Sequence, residues 1–416
     1  MESDQQQYRW LSLRLPQAQK RRIVVLTGPR QVGKTTLTRL AYPTLRYLNL
    51  DDARVRDALR DTGAASWSRD VGAAALDEAQ KEPSVFEKVK YAYDEGSLDF
   101  SVLLGSSRVL MLERVRETLA GRAFLFELWP LMLSELLHPW DATPPLPLFD
   151  RLLDGPVGEI LAATPSILLG AEDEERRRAE AHLASWGGMP ELLRLNDEER
   201  REWLGSYQQT WIERDLLDIA RLDDHHQFRK LQRLAMLRSG QLLNHAELGR
   251  DAQVAASTVR RHLGWLDLTF QLIEVPPFHR NLTSAVVKTP KLYWTDVGLL
   301  RQGTGQWGAM NGALFETLVV GELHKWLRTR GRSERLTFYR TRSGMELDLL
   351  IGGEATGWMG VEIKAREGAH GTDLRAMRAV ASALGREWRG GLVVHRGDRI
   401  ECLDAELDLW GVPLRR

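Results

Sequence analysis

The chain has 416 residues, 43% of them hydrophobic and 27% charged, with Lys+Arg and Asp+Glu equal at 57 each and a formal net charge of zero. That length accommodates roughly two to four domains with cores of their own, and the balanced charge leaves any nucleic-acid partner to local basic patches. The single cysteine, Cys402, excludes an internal disulfide and suits a reducing cytosol. No apolar run is long enough to span a bilayer, and MESDQQQYRW lacks the apolar core of a signal peptide, so a cytoplasmic protein with no membrane partner is expected.

In chain order, residues 1–20 predict a polar lead-in helix. The apolar run Ile23 to Leu26 reads as a buried strand and leads into Gly28-Pro29-Arg30-Gln31-Val32-Gly33-Lys34-Thr35-Thr36, which fits G-x-x-x-x-G-K-[ST] at every fixed position. Such a loop closes backbone N–H groups around phosphate oxygens at a helix N-terminus. Lys34 then reaches the β- and γ-phosphates, and the Thr35 hydroxyl holds Mg²⁺. Leu45–Leu50 reads as a second strand, and Val71–Leu76 as a third that ends in Asp77-Glu78. After a phosphate loop, that acidic pair suits an Asp holding Mg²⁺ through its water shell and a Glu acting on the attacking water. Phe100–Leu104 is a further strand whose tip offers Ser106, or alternatively Ser107, to the γ-phosphate. A helix Val109–Leu119 and a strand Ala123–Leu128 follow, with Arg122 between them as a candidate finger toward a neighbouring subunit; Arg114 and Arg116 compete for that role, and a plain helix-capping cation is an equal reading.

The ordered set GPRQVGKTT, LNLDD, LDEAQKEPSVFEKVK, LLGSS, ETLAGR and ELWPLMLSELL, continued by WGGMPELL, YQQTWIERDLLDIA, PKLYWTDVGLL and FYRTRSGMELDLLI, resembles a large AAA+ family of prokaryotic ATP-binding proteins. Its members end in a conserved domain of poorly known function, the DUF4143 type. The resemblance implies an AAA+ core, ATP hydrolysis with Mg²⁺, a ring or spiral homo-oligomer, hexamer-like, and a nuclease-like fold at the C-terminus. Leu104 departs from the Thr usual before the Gly-Ser pair.

Beyond the proline-rich break Asp141–Leu148, the charge-dense stretch 172–183 predicts a solvated helix, and Glu199–Leu217 a long amphipathic one whose Trp203, Tyr207, Trp211 and Leu217 fall near one face. Arg214 on it is a second nucleotide-sensing candidate, against an intrahelical ion pair. Helices over Phe228–Leu237, His245–Leu248 and Thr258–Leu266, the last capped by Ser257, precede strands Gln271–Val275 and Val286–Leu292. That order predicts a winged helix-turn-helix, with Arg260, Arg261, His279, Arg280 and Lys288 meeting DNA phosphates; a protein-contact module is the other reading.

The last third predicts a helix Asn311–Arg330 with Glu316 on its apolar stripe, strands Thr337–Arg342, Glu346–Ile351 and Trp358–Lys364, then a helix Asp373–Leu384 and a closing strand Gly391–Val394. Glu316, Asp348, Glu362 and Lys364 in this order resemble the PD-(D/E)XK core, in which carboxylates hold Mg²⁺ and the lysine steadies the developing charge; whether such a domain cleaves or only binds stays open. Arg386, Arg389 and Arg396 add local basic character.

The expected architecture is therefore α/β: an AAA+ P-loop core (1–140), a helical lid (141–222), a winged helix-turn-helix (223–295) and a restriction-endonuclease-like domain (296–416). The expected function is that of an ATP-hydrolysing motor acting on DNA, against a nucleotide-gated switch acting on a protein partner or an ATP-gated nuclease.

Overall fold

Strand β1 (Arg22–Thr27) sends successive residues to opposite faces of its sheet, as the strand period of two requires. Ile23 and Val25 join one apolar cluster with Leu76, Phe86 and Leu103, while Val24 and Leu26 join another with Val102 and Leu104. Because both faces are covered, the strand reads as an unbroken apolar run. It sits inside a five-stranded parallel sheet with β2 (Arg46–Asn49), β3 (Ala74–Asp77), β4 (Phe100–Gly105) and β5 (Ala123–Glu127), in the order β2-β3-β4-β1-β5. Val25 stands opposite Leu103 on one side and Leu125 on the other. This α/β core is of the P-loop kind. The computed structural model describes residues 6–106, 108–211, 225–279 and 289–416; Ser107, Arg214, Leu217, Arg280 and Lys288 fall outside them.

The expected lead-in helix is replaced by one 3-10 turn, Trp10–Arg14. The chain before it satisfies its backbone against a distant loop instead. Tyr8 N–H donates to His138 O at 2.9 Å, Trp140 N–H donates to Gln6 O at 2.7 Å, and Trp10 N–H donates to the Glu135 carboxylate at 2.9 Å.

The segment expected as one lid divides between two packing partners. Helices Leu148–Asp154 and Val157–Ala162 bury Leu152, Leu153, Val157 and Leu161 against the C-terminal sheet. Helices Ala171–Trp186 and Asp197–Trp211 pack instead on the helix Val297–Thr304. Only bare backbone permits that second contact: a Cβ on Gly298 would lie 1.8 Å from Trp186 O. Gly188 is as tightly placed against the loop after β5, where a Cβ would lie 2.2 Å from Leu131 O. Buried Asp296 joins both parts, accepting from Gly188 N–H at 2.8 Å and capping the helix through Leu299 N–H at 3.0 Å. The charge-dense helix is not simply solvated: Asp173 accepts from Arg177 at 2.6 Å and from Arg415 at 3.1 Å, and Arg415 is buried.

Helices His225–Leu237, His245–Ala252 and Ala256–Leu268 carry a three-stranded antiparallel sheet of β6 (Gln241–Leu242), β8 (Lys291–Trp294) and β7 (Leu272–Val275). The third helix begins one residue before Ser257, so Ser257 is not its N-cap. Val259, Leu263 and Leu266 are buried, while Arg260 and Arg261 are exposed.

The C-terminal domain is a separate mixed sheet ordered β13-β14-β12-β11-β10-β9, built from β9 (Arg335–Arg340), β10 (Glu346–Gly353), β11 (Gly357–Lys364), β12 (Trp388–His395), β13 (Glu401–Asp404) and β14 (Leu409–Pro413). Leu349 and Ile351 face the helix Gly312–Arg330, whereas Leu347 and Leu350 face Met377 and Val380 of the helix Leu374–Leu384. The strand expected to close the chain is followed by β13 and β14. Arg389, expected as surface charge, donates to the carbonyls of Leu152, Leu153 and Gly155, where it caps the end of a helix. Among the described residues, no helix is long and apolar enough to cross a membrane.

Candidate nucleotide site

The loop after β1 has little conformational choice. Gly28 has φ +155°, and a Cβ there would meet Leu128 O at 2.1 Å, because Leu128 N–H donates to Thr27 O right beside it. Gln31 (φ 60°) and Gly33 (φ 93°) then turn the backbone through the left-handed region before the helix Lys34–Ala41 begins. Lys34 is buried, and its amine donates to the carbonyls of Gly28 at 2.9 Å and Pro29 at 2.7 Å. The first helical turn thus offers its N–H groups and an ammonium at the same mouth.

Across the sheet, Asp77 ends β3. One carboxylate oxygen accepts from the Thr35 hydroxyl at 2.6 Å and from the Tyr47 hydroxyl at 2.6 Å; the other accepts from Glu78 N–H at 3.0 Å. Burial, and then the bond to Asp77, push the Tyr47 phenol up to about 12. Glu78 itself adopts a left-handed backbone (φ 54°), an uncommon conformation for this residue type. Its carboxylate is held by Gln80 at 2.5 Å and approached by the buried Ser106 hydroxyl at 3.4 Å.

Lys34, Thr35, Asp77, Glu78 and Ser106 therefore meet at one place. It opens into a cleft of about 880 Å³, whose lining includes Arg30, Gln31, Gly33, Thr36 and, from elsewhere in the chain, Gln6, Pro190, Arg194, Trp203 and Tyr207. Trp203 and Tyr207 stack on each other with ring centroids 5.3 Å apart. The residues fit a magnesium triphosphate: a glycine-permitted cradle, a cation at its mouth, and paired hydroxyl and carboxylate oxygens of the hard type that Mg²⁺ takes. Tyr47, Gln80 and the far wall of the cleft were missed by sequence reasoning. Tyr47 had one available signal, its place in the strand LRYLNL two residues before the tip.

The other candidates lie elsewhere. Arg122 precedes β5 at the opposite end of the sheet from its own phosphate loop, paired with Asp94 at 2.6 and 3.0 Å. Arg260 is exposed, and Arg261 lies over the Trp265 ring at 5.4 Å. In the C-terminal domain, Lys364 donates to Glu362 at 2.6 Å, and Asp348 accepts from Ile363 N–H at 2.8 Å. Glu316 and Asp348 converge, but on Lys291 of β8, at 3.1 and 3.9 Å. Among the described residues, no three His, Cys, Asp or Glu side chains form a group able to hold a metal ion.

Residues 20–137 match the family described as AAA domain, residues 311–414 match a domain of unknown function, DUF4143, and residues 178–306 match another, DUF8612. The chain is similar to the uncharacterized proteins Rv2008c of Mycobacterium tuberculosis and Mb2031c of Mycobacterium bovis, each 28% identical over 339 residues, covering 79% of this chain and 67% of the relative. Among solved structures, the Walker-type ATPase PABY2304 of Pyrococcus abyssi is 16% identical with a TM-score of 0.45, covering 70% of this chain and 94% of that one. The ADP form of the Aeropyrum pernix ORC2 protein is 14% identical with a TM-score of 0.29, covering 64% and 84%.

Proposed function

We propose that this chain, which carries an AAA domain ahead of a DUF4143 domain, hydrolyses ATP and uses the cycle to act on DNA as a homo-oligomer. The observation that carries the first part is the 2.6 Å bond between the Thr35 hydroxyl and Asp77, with Glu78 held beside them by Gln80 and Ser106. Gly28 to Thr36 wrap the phosphates, and Lys34 steadies charge on the γ-phosphoryl oxygens. Thr35 and Asp77 would hold Mg²⁺, which would supply charge neutralisation at the triphosphate. Glu78 accepts the proton of the attacking water, and Ser106 keeps that carboxylate aimed. Turnover of ATP to ADP and phosphate by the purified chain in magnesium tests this reading; a rate no higher than buffer would end it.

Arg122 suits a finger in trans, since it stands too far along the sheet to serve its own nucleotide. Arg122→Ala is expected to keep ATP affinity while turnover falls at least about tenfold at concentrations where the wild type assembles; unchanged turnover rejects the assignment.

The order helix, strand, helix, helix, strand, strand supports a winged helix-turn-helix, with the helix Ala256–Leu268 as its reader. Its exposed Arg260 and Arg261 favour duplex phosphates over a protein partner. Arg260→Glu combined with Arg261→Glu is expected to weaken duplex binding at least about tenfold and to flatten its salt dependence by about two counterions. Unchanged affinity in a fluorescence-anisotropy titration moves this module to the protein-contact reading. The DUF4143 domain then serves binding rather than cleavage, for the reason below.

A further inference from the structure

The C-terminal carboxylates are brought together, yet the centre of the group is filled by a side chain of another module. Lys291, on β8, is almost wholly buried, and its amine lies 2.5 Å from Glu346, 3.1 Å from Glu316 and 3.9 Å from Asp348. The next inward residue of the same strand, Tyr293, donates its hydroxyl to Glu316 at 2.6 Å. Lys291 and Tyr293 point the same way because they are two apart on a strand. The strand is placed by long-range contacts. Trp294 N–H donates to the Ser239 hydroxyl, which in turn bonds the Thr317 hydroxyl on the helix that carries Glu316. At the far edge, Phe278 N–H donates to Phe338 O, so the chain after β7 runs beside β9.

We propose that Lys291 is the resident cation of this carboxylate cluster: its ammonium takes the position a divalent ion needs, and it clamps the three-stranded module to the C-terminal domain. A buried ammonium shared by Glu316, Glu346 and Asp348 leaves those oxygens already satisfied, and one cation excludes another from the same few cubic ångströms by charge repulsion and by volume. Two of the acids expected for a nuclease-like arrangement, Glu316 and Asp348, are thereby engaged in an internal ion pair. Its contribution to the molecule is a fixed joint between the two modules, independent of whether the nucleotide reading above holds.

The charge balance agrees with this. Lys291, Lys364 and Arg340 face Glu316, Glu346, Asp348 and Glu362, and Arg340 pairs with Glu346 at 2.9 Å. The acids exceed the cations by one, and burial, then Glu362 and Glu316, push the Asp348 carboxyl well above the usual carboxylate range.

Two measurements on the full chain test the proposal. In the first, Mn²⁺ binding without nucleotide is followed by electron paramagnetic resonance in the wild type and in Asp348→Asn. Superimposable isotherms are expected; a site present in the wild type and lost in Asp348→Asn overturns the proposal. In the second, Lys291→Met is expected to lower the Tm by at least about 5 °C, because three half-buried acids lose their buried cation. Adding Glu316→Gln and Asp348→Asn to it should restore half or more of that loss. A Lys291→Met protein that melts with the wild type, or a triple variant that recovers nothing, overturns the clamp, and the Mn²⁺ comparison stands even if Lys291→Met does not fold.

Discussion

Glu78→Gln is expected to bind ATP about as well as the wild type and to turn it over at least about a hundredfold more slowly. The amide cannot take the proton of the attacking water, and positioned general bases contribute roughly 10²–10⁴-fold. Its shape is kept, so the bonds that Gln80 and Ser106 make to this side chain can be re-formed by the amide oxygen. Lys34→Ala should behave differently. Its amine lies within the loop, at 2.9 Å from Gly28 O and 2.7 Å from Pro29 O, so its removal costs both the loop's internal bonds and the cation at the phosphates. Loss of binding as well as of turnover is expected. Single-turnover hydrolysis beside a binding titration separates the two variants; equal turnover in Glu78→Gln and wild type removes Glu78 from the chemistry.

Glu135→Ala is expected to be among the most destabilising single changes. The carboxylate is fully buried, and burial pushes its pKa up against the opposing pull of Arg9. It accepts from Trp10 N–H at 2.9 Å and Met132 N–H at 3.2 Å and stands 3.6 Å from Arg9, which is itself buried and donates to Trp129 O. Removing it leaves a buried guanidinium without its counter-charge, a loss of about 3–5 kcal/mol. A fall in Tm of roughly 5–10 °C follows. The same loop meets the C-terminal domain, where Lys325 donates to Leu131 O at 3.2 Å and Glu322 accepts from Leu133 N–H at 2.7 Å. Because Gln6, on the segment that Glu135 anchors, lines the nucleotide cleft, ATP affinity should fall with stability. A melting temperature within about 1 °C of the wild type contradicts this account of the anchor.

What was legible in the sequence is what short-range geometry dictates. The phosphate loop and the Asp77-Glu78 strand tip are each a few consecutive residues, and parallel strands buried on both faces announce themselves as apolar runs. The helix Gly312–Arg330 and strands β9 to β11 followed from their periods in the same way. Contacts between distant segments were not legible. Helices 148–162 carry an ordinary amphipathic pattern that does not say which sheet will bury it, and they go to one formed about two hundred residues later. The charges of 172–183 looked solvated because Arg415 and Asp398, their partners, stand at the other end of the chain. Lys291 gave the least warning. Inside the expected strand Val286–Leu292, one lysine gives no sign of its partners until the fold carries it among three acids.

The most direct test of the central claim is a calorimetric titration of the purified chain with ATP in magnesium, run beside Lys34→Ala. One nucleotide per chain, bound at micromolar or tighter concentration by the wild type and at least about tenfold more weakly by Lys34→Ala, is the predicted result. Binding that is absent in the wild type, or equal in the two proteins, contradicts the assignment of this cleft.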